Sequence, residues 1–455
     1  MNLEKGFYKN IFAIAIPIAL QNLITLGTSL MDTIMLGRAD TTGILLSASS
    51  LANQPFFILQ VLTFGLASGS SVLCAQYWGK GEIKPIRDIF SFVLKLAVAV
   101  GIIFGLTVLF VPEKVMGVYS NNAEVIMRGS QYLRILGYAY FTFAISNTML
   151  SALRSIEVLR VSVICSVVSF CTNVFLNWVL IFGNLGAPAL GIQGAAIATL
   201  TARLLEFVIT ALYILFIDKR LKFRIKDIFI HNKVLAGDVV KNGTPVVINE
   251  LMWSLATSAQ AAILGHITYS AGDPVAANSI AGVIQQLSTV VIMGVANAAA
   301  VLVGMAIGEN NMKKAEDRAK ALRNLSFGMG IISCLFILGV KNIFINFYNV
   351  PIETKELASQ IITVFSFITI CCSVNLVLIM GALRGAGDTK FCMTLEICCL
   401  WLLAIPLALV AAFKFQFPVP LVFLLMKIDE PTKMILSLFR MKGNKWLNSL
   451  TREFE

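Results

Sequence analysis

Residues 14–37 read IAIPIALQNLITLGTSLMDTIMLG, and residues 242–265 read NGTPVVINELMWSLATSAQAAILG. The two stretches align without a gap at an offset of 228 residues. Three paired positions carry the alignment: Pro17 with Pro245, Asn22 with Glu250, and Gly37 with Gly265. Similar matches continue downstream, as far as ALRS at residues 152–155 and ALRG at residues 382–385. The chain is therefore predicted to contain an internal duplication.

The composition points to a membrane protein. Of the 455 residues, 57% are hydrophobic and 13% are charged, and the mean hydropathy is +0.82. A soluble domain has roughly 45–50% apolar and about 25% charged residues, so a soluble enzyme is excluded, and so is a disordered chain. The net charge of +11 lies mostly in short segments between apolar runs, which suits anionic lipid rather than nucleic acid.

Apolar runs of about 20 residues, the length that a helix needs to cross a bilayer, predict twelve spans. They lie near residues 9–37, 45–73, 89–111, 130–152, 160–183, 192–217, 242–266, 275–307, 325–346, 359–382, 391–413 and 417–436. The predicted fold class is therefore an all-α polytopic membrane protein. Six spans in each half give both halves the same orientation, which is the parallel repeat of secondary transporters.

The predicted organisation has four parts. Residues 1–217 form an N-terminal six-helix lobe, residues 218–241 a linker, residues 242–436 a C-terminal six-helix lobe and residues 437–455 a basic tail. With the termini inside, the inner segments carry 27 Lys and Arg and the outer loops carry 6. Inner loops retain positive charge, so we expect a plasma-membrane protein with the linker, the tail and both termini in the cytoplasm.

Asp32 is an ionisable residue inside the first span, where a charge costs at least about 2.5–3.5 kcal/mol. It shares one helix face with Asn22, Thr25 and Ser29, at spacings of three and four residues. This stripe must face protein or a water-filled cavity, where a carboxylate suits reversible binding of a proton or a cation. The alternative is a structural aspartate that hydrogen-bonds the neighbouring hydroxyl groups.

Two prolines interrupt the first helix of each half. Pro17 and Pro245 each remove a backbone hydrogen bond at corresponding positions of the repeat. Interrupted helices at matching positions are typical of moving or binding elements, so both are hinge candidates. The alternative is a pair of passive packing kinks.

Further polar residues lie within the predicted spans. Glu250 is a candidate contact for a cationic substrate or a coupling ion, or else a residue of the cytoplasmic edge. Asn173 and Asn177, one turn apart, either serve a carboxylate or join helices by hydrogen bonds. We expect Arg203 and Glu206 to neutralise one another.

No metal site or cofactor is predicted. The nine cysteines all lie in apolar stretches without zinc-like or disulfide-like spacing, and the chain has two histidines. No phosphate-cradling loop of the Walker type occurs, which argues against an ATP-driven pump. We do not expect an enzyme, because no cluster of His, Asp or Ser lies at a predicted membrane interface.

Six motifs stand out along the chain: MDTIMLG at residues 31–37, AQYWGKGE at 75–82, ALR at 152–154, NVFLNWVLIFG at 173–183, GIQGAAIAT at 191–199 and ALRGAGDT at 382–389. Together they resemble the multidrug and toxic compound extrusion (MATE) family of cation-coupled exporters. The likeness covers nearly the whole chain.

This resemblance implies two six-helix lobes around a V-shaped cavity, and export of amphipathic cations in exchange for inward H⁺ or Na⁺. Carried over by position, the cation-coupling site comprises Asp32, Asn147, Asn173, Asn177 and Thr199, with Pro17 at the bend of the first helix. Many members have an aspartate where this chain has Asn177, so a two-carboxylate sodium cage is weakened. No acidic residue lies in the tenth span, so we expect Glu250 to stand largely alone.

The expected partners are small organic cations and membrane lipid, and we expect a working monomer. Within transport, the alternative is a flippase for lipid-linked oligosaccharide or polysaccharide precursors, which would favour a more cationic cavity. A membrane enzyme or sensor is the alternative from another class, and it would need an interfacial cluster of reactive side chains or an added soluble domain.

Overall fold

A computed structural model describes residues 6–40, 44–229, 232–348, 350–443 and 445–452. Within these ranges every regular element is a helix, and there is no strand. The first seven α-helices are α1 (Phe7–Ala39), α2 (Ile44–Lys80), α3 (Ile83–Phe110), α4 (Pro112–Tyr119), α5 (Ala123–Ser155), α6 (Arg160–Phe182) and α7 (Ile192–Leu212). The expected all-α class is confirmed.

The second half contains eight further α-helices. They are α8 (Lys233–Gly265), α9 (Pro274–Gly308), α10 (Met312–Asn346), α11 (Ile352–Asn375), α12 (Thr389–Ile397), α13 (Ile405–Leu409), α14 (Val419–Met426) and α15 (Asp429–Arg440). Wider π-helical turns extend α11 to Leu383 and join α12 to α13 in one rod, Thr389–Lys414.

Nine helices of the described ranges are long and apolar enough to cross a membrane. The helices α5 and α8 have 33 residues each but are less apolar. The predicted span at 417–436 is made of two short helices, because α14 ends at Met426 and α15 begins at Asp429. Lys427 and Ile428 lie between them, and the exact count of twelve spans is not confirmed.

Both predicted hinge prolines lie inside continuous helices. Pro17 is within α1 and Pro245 is within α8. Each helix continues on both sides of its proline, and the hinge role of the two residues stays a prediction.

Residue contacts divide the chain into two compact units. The A unit comprises the described residues of 1–19, residues 75–81 and the chain from Thr244 onward; the B unit comprises 20–74 and the described residues of 82–243. The division falls just after Pro17 and just before Pro245. The predicted lobe limits at residues 217 and 242 stay a prediction.

Small residues let the helices of the B unit approach closely. A side chain at Gly101 of α3 would come within 3.1 Å of the Ala144 side chain on α5, and one at Gly105 would come within 3.0 Å of the Gly137 carbonyl oxygen. Between α6 and α7, a side chain at Gly194 would lie 2.6 Å from the Leu180 carbonyl oxygen. Close approach of the helices increases van der Waals packing between them, which stabilises helix association in lipid, where the hydrophobic effect between helices is weak.

In the A unit, small residues likewise allow close packing against α9. A side chain at Gly385 would lie 2.5 Å from the Ala300 carbonyl oxygen, and one at Gly381 would lie 2.8 Å from that of Ala296. The C-terminal tail also belongs to this unit. Trp446 is buried, and the Leu450 amide donates to the Gln76 side chain at 2.7 Å.

Candidate functional site

Four of the five predicted coupling residues form one hydrogen-bonded chain in the B unit. The Asn177 side-chain amide donates to Asp32 Oδ1 at 2.5 Å and to Asn173 Oδ1 at 3.0 Å. Asn173 in turn donates to Thr199 Oγ1 at 3.3 Å. Three helices, α1, α6 and α7, therefore meet at one polar cluster, which we call the Asp32 cluster.

The helical period explains why these side chains meet. Asn173 and Asn177 are one turn apart on α6 and are both buried, with 1% and 0% exposure. Buried amides need partners because unpaired polar groups are costly away from water. Asp32 supplies the partner from α1 and Thr199 supplies it from α7.

The hydroxyl groups near Asp32 on its own helix have other partners. Thr25 and Ser29 donate to the carbonyl oxygens of Gln21 and Thr25, one turn earlier in α1. The alternative of an aspartate held by neighbouring hydroxyls of its own helix is therefore not what the geometry shows. The observed partner of Asp32 comes from α6.

One buried acceptor of the Asp32 cluster is unused. Asn177 Oδ1 accepts no hydrogen bond from any described residue. Together with the Asp32 carboxylate and the Thr199 hydroxyl, it offers oxygen atoms of the kind that hard cations prefer. No group of three or more His, Cys, Asp and Glu in the described ranges has the arrangement of a metal site.

Asn147, the fifth predicted coupling residue, is separate from this chain of bonds. It lies on α5 and is half-buried. Among the described residues, no hydrogen bond connects it to the other four. Its role in coupling stays a prediction.

Arg203 is a neighbour of the Asp32 cluster, although the sequence predicted it only as the partner of Glu206. The expected pair with Glu206 is present at 2.8 Å, and the guanidinium lies 5.1 Å from the centre of the Phe143 ring. Arg203 also attracts Asp32 electrostatically. The sequence contains a signal for this proximity, because Arg203 follows Thr199 by four residues and therefore lies on the same face of α7.

Tyr132 of α5 is a neighbour that the sequence analysis missed. It is 3% exposed and interacts with Asn53, Thr199 and Asp32. Nothing in its local sequence distinguishes it from the other aromatic residues of this helix. Its phenol adds a polar group to the wall of the Asp32 cluster.

Glu250, the substrate-contact candidate, has a charged partner in the A unit. Its Oε1 atom is 3.0 Å from Nη1 of Arg384, which is 2% exposed. The adjacent Asn249 donates to Glu396, and Glu396 also interacts electrostatically with Arg384 and Glu250. The expectation that Glu250 stands largely alone is therefore wrong. Its contact with substrate stays a prediction.

A further buried ion cluster occupies the start of α15. Lys433 is 4% exposed and lies 2.8 Å from Asp429 and 2.9 Å from Glu430. Asn375 donates to the Glu430 side chain at 2.7 Å. Buried charges persist only when they are paired in this way.

Comparison with known proteins agrees with this architecture. The MatE family model matches residues 17–179 and 245–410, two segments that begin at Pro17 and Pro245. A probable multidrug resistance protein NorM of Thermotoga maritima is 27% identical over 98% of this chain and 95% of its own length. The multidrug resistance protein NorM of Vibrio vulnificus is 24% identical over 89% and 88%.

Solved structures share the fold. A MATE crystal structure in the bent conformation gives a TM-score of 0.86 at 19% identity, with 98% of this chain and 99% of that one covered. A eukaryotic MATE transporter gives 0.82 at 19% identity, with 95% of each chain covered. Because the family model matches most of the chain in two copies, this protein belongs to the MatE family of multi-pass membrane transporters.

Proposed function

We propose that this protein is a secondary antiporter that exports amphipathic organic cations in exchange for inward H⁺ or Na⁺. Relatives that cover almost the whole chain carry the name multidrug resistance protein, which supports efflux of drug-like or toxic compounds. The observation that carries the coupling proposal is the hydrogen bond from Asn177 to Asp32 across α1 and α6.

The Asp32 cluster suits reversible binding of H⁺ or Na⁺ because the side-chain amide of Asn177 can rotate and exchange its donor for its acceptor. In the present arrangement Asn177 presents its NH₂ group to the Asp32 side chain, and its own oxygen is unused. A proton on Asp32 would turn the carboxyl group into a donor, and a sodium ion would attract both oxygens. Either ion would favour rotation of the Asn177 amide, which then presents its oxygen to Asp32.

Ion binding would also change the charge balance around Arg203. Ionised Asp32 attracts this guanidinium, which is shared with Glu206. Once a proton or Na⁺ neutralises Asp32, that attraction is lost while the Glu206 pair remains. We infer that this change between α1 and α7 biases the transporter between its inward-open and outward-open states, with Pro17 and Pro245 as hinges.

Glu250 is the proposed contact for the positive charge of the substrate. Because it is paired with Arg384, an organic cation must compete with a guanidinium for the carboxylate. A cation with a delocalised charge and a large apolar surface competes through burial of that surface rather than by charge alone. This agrees with amphipathic substrates.

Efflux of a fluorescent organic cation from proteoliposomes tests this proposal, with a proton gradient and a sodium gradient imposed separately. We expect one gradient to drive efflux and Asp32→Asn to reduce the driven rate at least about tenfold, a change in barrier of about 1.4 kcal/mol. The control is Glu113→Gln, which removes an exposed carboxylate of the same unit.

Two results would contradict the proposal. If wild-type protein moves no organic cation under either gradient, the drug-export proposal is rejected. A lipid-linked oligosaccharide precursor is then the next cargo to assay. Normal gradient-driven efflux by Asp32→Asn would place the coupling site outside the Asp32 cluster.

A further inference from the structure

The helix α15 has its polar side turned inward and its apolar side turned outward. Asp429, Lys433 and Ser437 repeat every four residues and are buried, with exposures of 1%, 4% and 0%. The large apolar side chains of the same helix point away from the protein: Ile435, Leu436 and Phe439 are 49%, 43% and 61% exposed. This orientation suits a helix whose outer face meets lipid.

The neighbouring end of α10 shows where the lipid headgroups lie. The first three turns of α10, residues 312–323, contain seven charged residues, and Arg323 is the last of them before the apolar segment. Exposed apolar side chains follow at Ile331, Ile332, Leu335 and Phe336. Ile331 is about 12 Å further along the axis than Arg323, at 1.5 Å per residue. Arg323 therefore lies near the boundary between headgroups and acyl chains.

A cavity of about 520 Å³ opens between these two segments. We call it the α10–α15 groove, and its walls include Lys320, Arg323, Ile435, Phe439 and Lys442. One acidic residue, Glu316, also lines it and is paired with Lys320 at 2.6 Å. One end of the groove is therefore positively charged, and one wall is apolar, formed by Ile435 and Phe439.

Two of its basic groups have no acidic partner. Arg323 donates to the side-chain oxygen of Asn324 at 3.0 Å, and Lys442 lies 4.7 Å from the centre of the Phe439 ring. Neither forms an ion pair with any described residue. A guanidinium next to an ammonium group, at the level of the headgroups, matches a phosphate.

We propose that the α10–α15 groove binds an anionic phospholipid. Lys320, Arg323 and Lys442 hold the headgroup phosphate, and the acyl chains lie along Ile435, Leu438 and Phe439. The positive-inside count independently predicts this side to be cytoplasmic, where anionic lipids generate the surface potential. The lipid fastens α15 to the start of α10, and this role does not depend on which cargo or coupling ion the protein uses.

Lipid binding to the full-length protein in detergent, followed by native mass spectrometry, tests this proposal. Phosphatidylglycerol and phosphatidylcholine with the same acyl chains are titrated separately. We expect wild-type protein to bind phosphatidylglycerol more tightly, and Lys320→Ala/Arg323→Ala/Lys442→Ala to weaken that binding about tenfold. Phosphatidylcholine binding should change little.

The matched control is Lys219→Ala/Arg224→Ala/Lys226→Ala, which removes the same charge from exposed residues between α7 and α8. All six side chains are away from the buried core, and the elution profile in size-exclusion chromatography verifies that both variants fold. A second variant, Glu316→Gln, frees Lys320 and should tighten phosphatidylglycerol binding two- to threefold. Opposite effects of the first variant and Glu316→Gln would support a site in the groove.

Three results would overturn the proposal. Equal losses in the groove variant and the control variant would indicate attraction by net charge only. Full retention of phosphatidylglycerol by the groove variant would exclude the site. Equal affinity for soluble glycerol phosphate would show a phosphate site without a role for the acyl chains, and Phe439→Ser would then have no effect.

Discussion

Asp32 and Glu250 both lie inside the first long helix of their half of the repeat, but their partners differ in charge. Asp32 accepts a hydrogen bond from the neutral amide of Asn177, whereas Glu250 is paired with the buried guanidinium of Arg384. A carboxylate whose hydrogen-bond partner is neutral binds a small cation more readily than one that must first give up a guanidinium. The comparison therefore favours Asp32 over Glu250 as the proposed ion-coupling residue.

Equivalent positions of the two repeats carry different polar residues, and this accounts for the different partners of Asp32 and Glu250. Arg384 has a counterpart in Arg154, which lies 3.4 Å from the Gln21 side chain. At the offset of 228 residues Asn22 corresponds to Glu250, so the second half has an acid where the first has an amide. Asp32 corresponds to Gln260, which accepts a hydrogen bond from Lys427 at 3.1 Å. The two halves have exchanged acid and amide at two positions.

The largest expected effect comes from breaking the charged pair of the second half. Arg384→Gln leaves Glu250 buried without its partner and should destabilise the protein by about 3 kcal/mol, because an uncompensated buried charge is costly. Arg154→Gln should cost about 1 kcal/mol, because its bonded partner is neutral. Thermal unfolding in detergent measures both.

The double variant Glu250→Gln/Arg384→Gln serves as the control for that comparison. It removes both charges together and should recover most of the loss caused by Arg384→Gln. Equal destabilisation by Arg384→Gln and Arg154→Gln would mean that the two halves do not differ as described.

A change of intermediate size should follow when the Asp32 cluster gains a second acid. Asn177→Asp places a second carboxylate within hydrogen-bond distance of Asp32, so the cluster offers two acidic groups to a cation. We expect sodium to bind about tenfold more tightly, which sodium-dependent thermal stabilisation measures. The control is Asn122→Asp, which adds a carboxylate at the start of α5, where the Asn122 side chain accepts from the Glu124 amide and does not take part in the Asp32 cluster. Weaker sodium binding by Asn177→Asp would contradict a cation site at this position.

The smallest expected effect concerns the counterpart of Asp32. Gln260→Leu removes the hydrogen bonds to Lys427 and to the Met426 carbonyl oxygen and should cost about 1 kcal/mol of stability, with no change in coupling. The same thermal and efflux measurements verify this. A loss of gradient-driven efflux in Gln260→Leu would show that the second half takes part in ion coupling.

The sequence predicted the fold class and the duplication because both depend on composition and spacing. The Asp32 cluster was also accessible, since Asn173 and Asn177 share one helix face and the family resemblance indicates Asp32 and Thr199. The pair of Glu250 and Arg384 was not, because the two residues are 134 positions apart and no local pattern joins them.

The break between α14 and α15 within residues 417–436 was not predicted, for a different reason. A hydropathy sum counts apolar residues without regard to the face on which they lie. In α15 the polar residues Asp429, Lys433 and Ser437 face inward, so the segment is apolar toward its surroundings although it carries buried charges. The buried charges of α15 decide the structure, and their pairing depends on helices distant in the chain, such as α11 with Asn375.

The most direct test of the account compares ion binding in wild-type protein, Asp32→Asn and Glu250→Gln, without transport. Proton uptake on a pH jump and sodium binding by calorimetry are measured on the same purified samples. We predict that wild type and Glu250→Gln bind the coupling ion with the same stoichiometry and that Asp32→Asn does not bind it. Retained binding in Asp32→Asn together with lost binding in Glu250→Gln would contradict the assignment of coupling to Asp32.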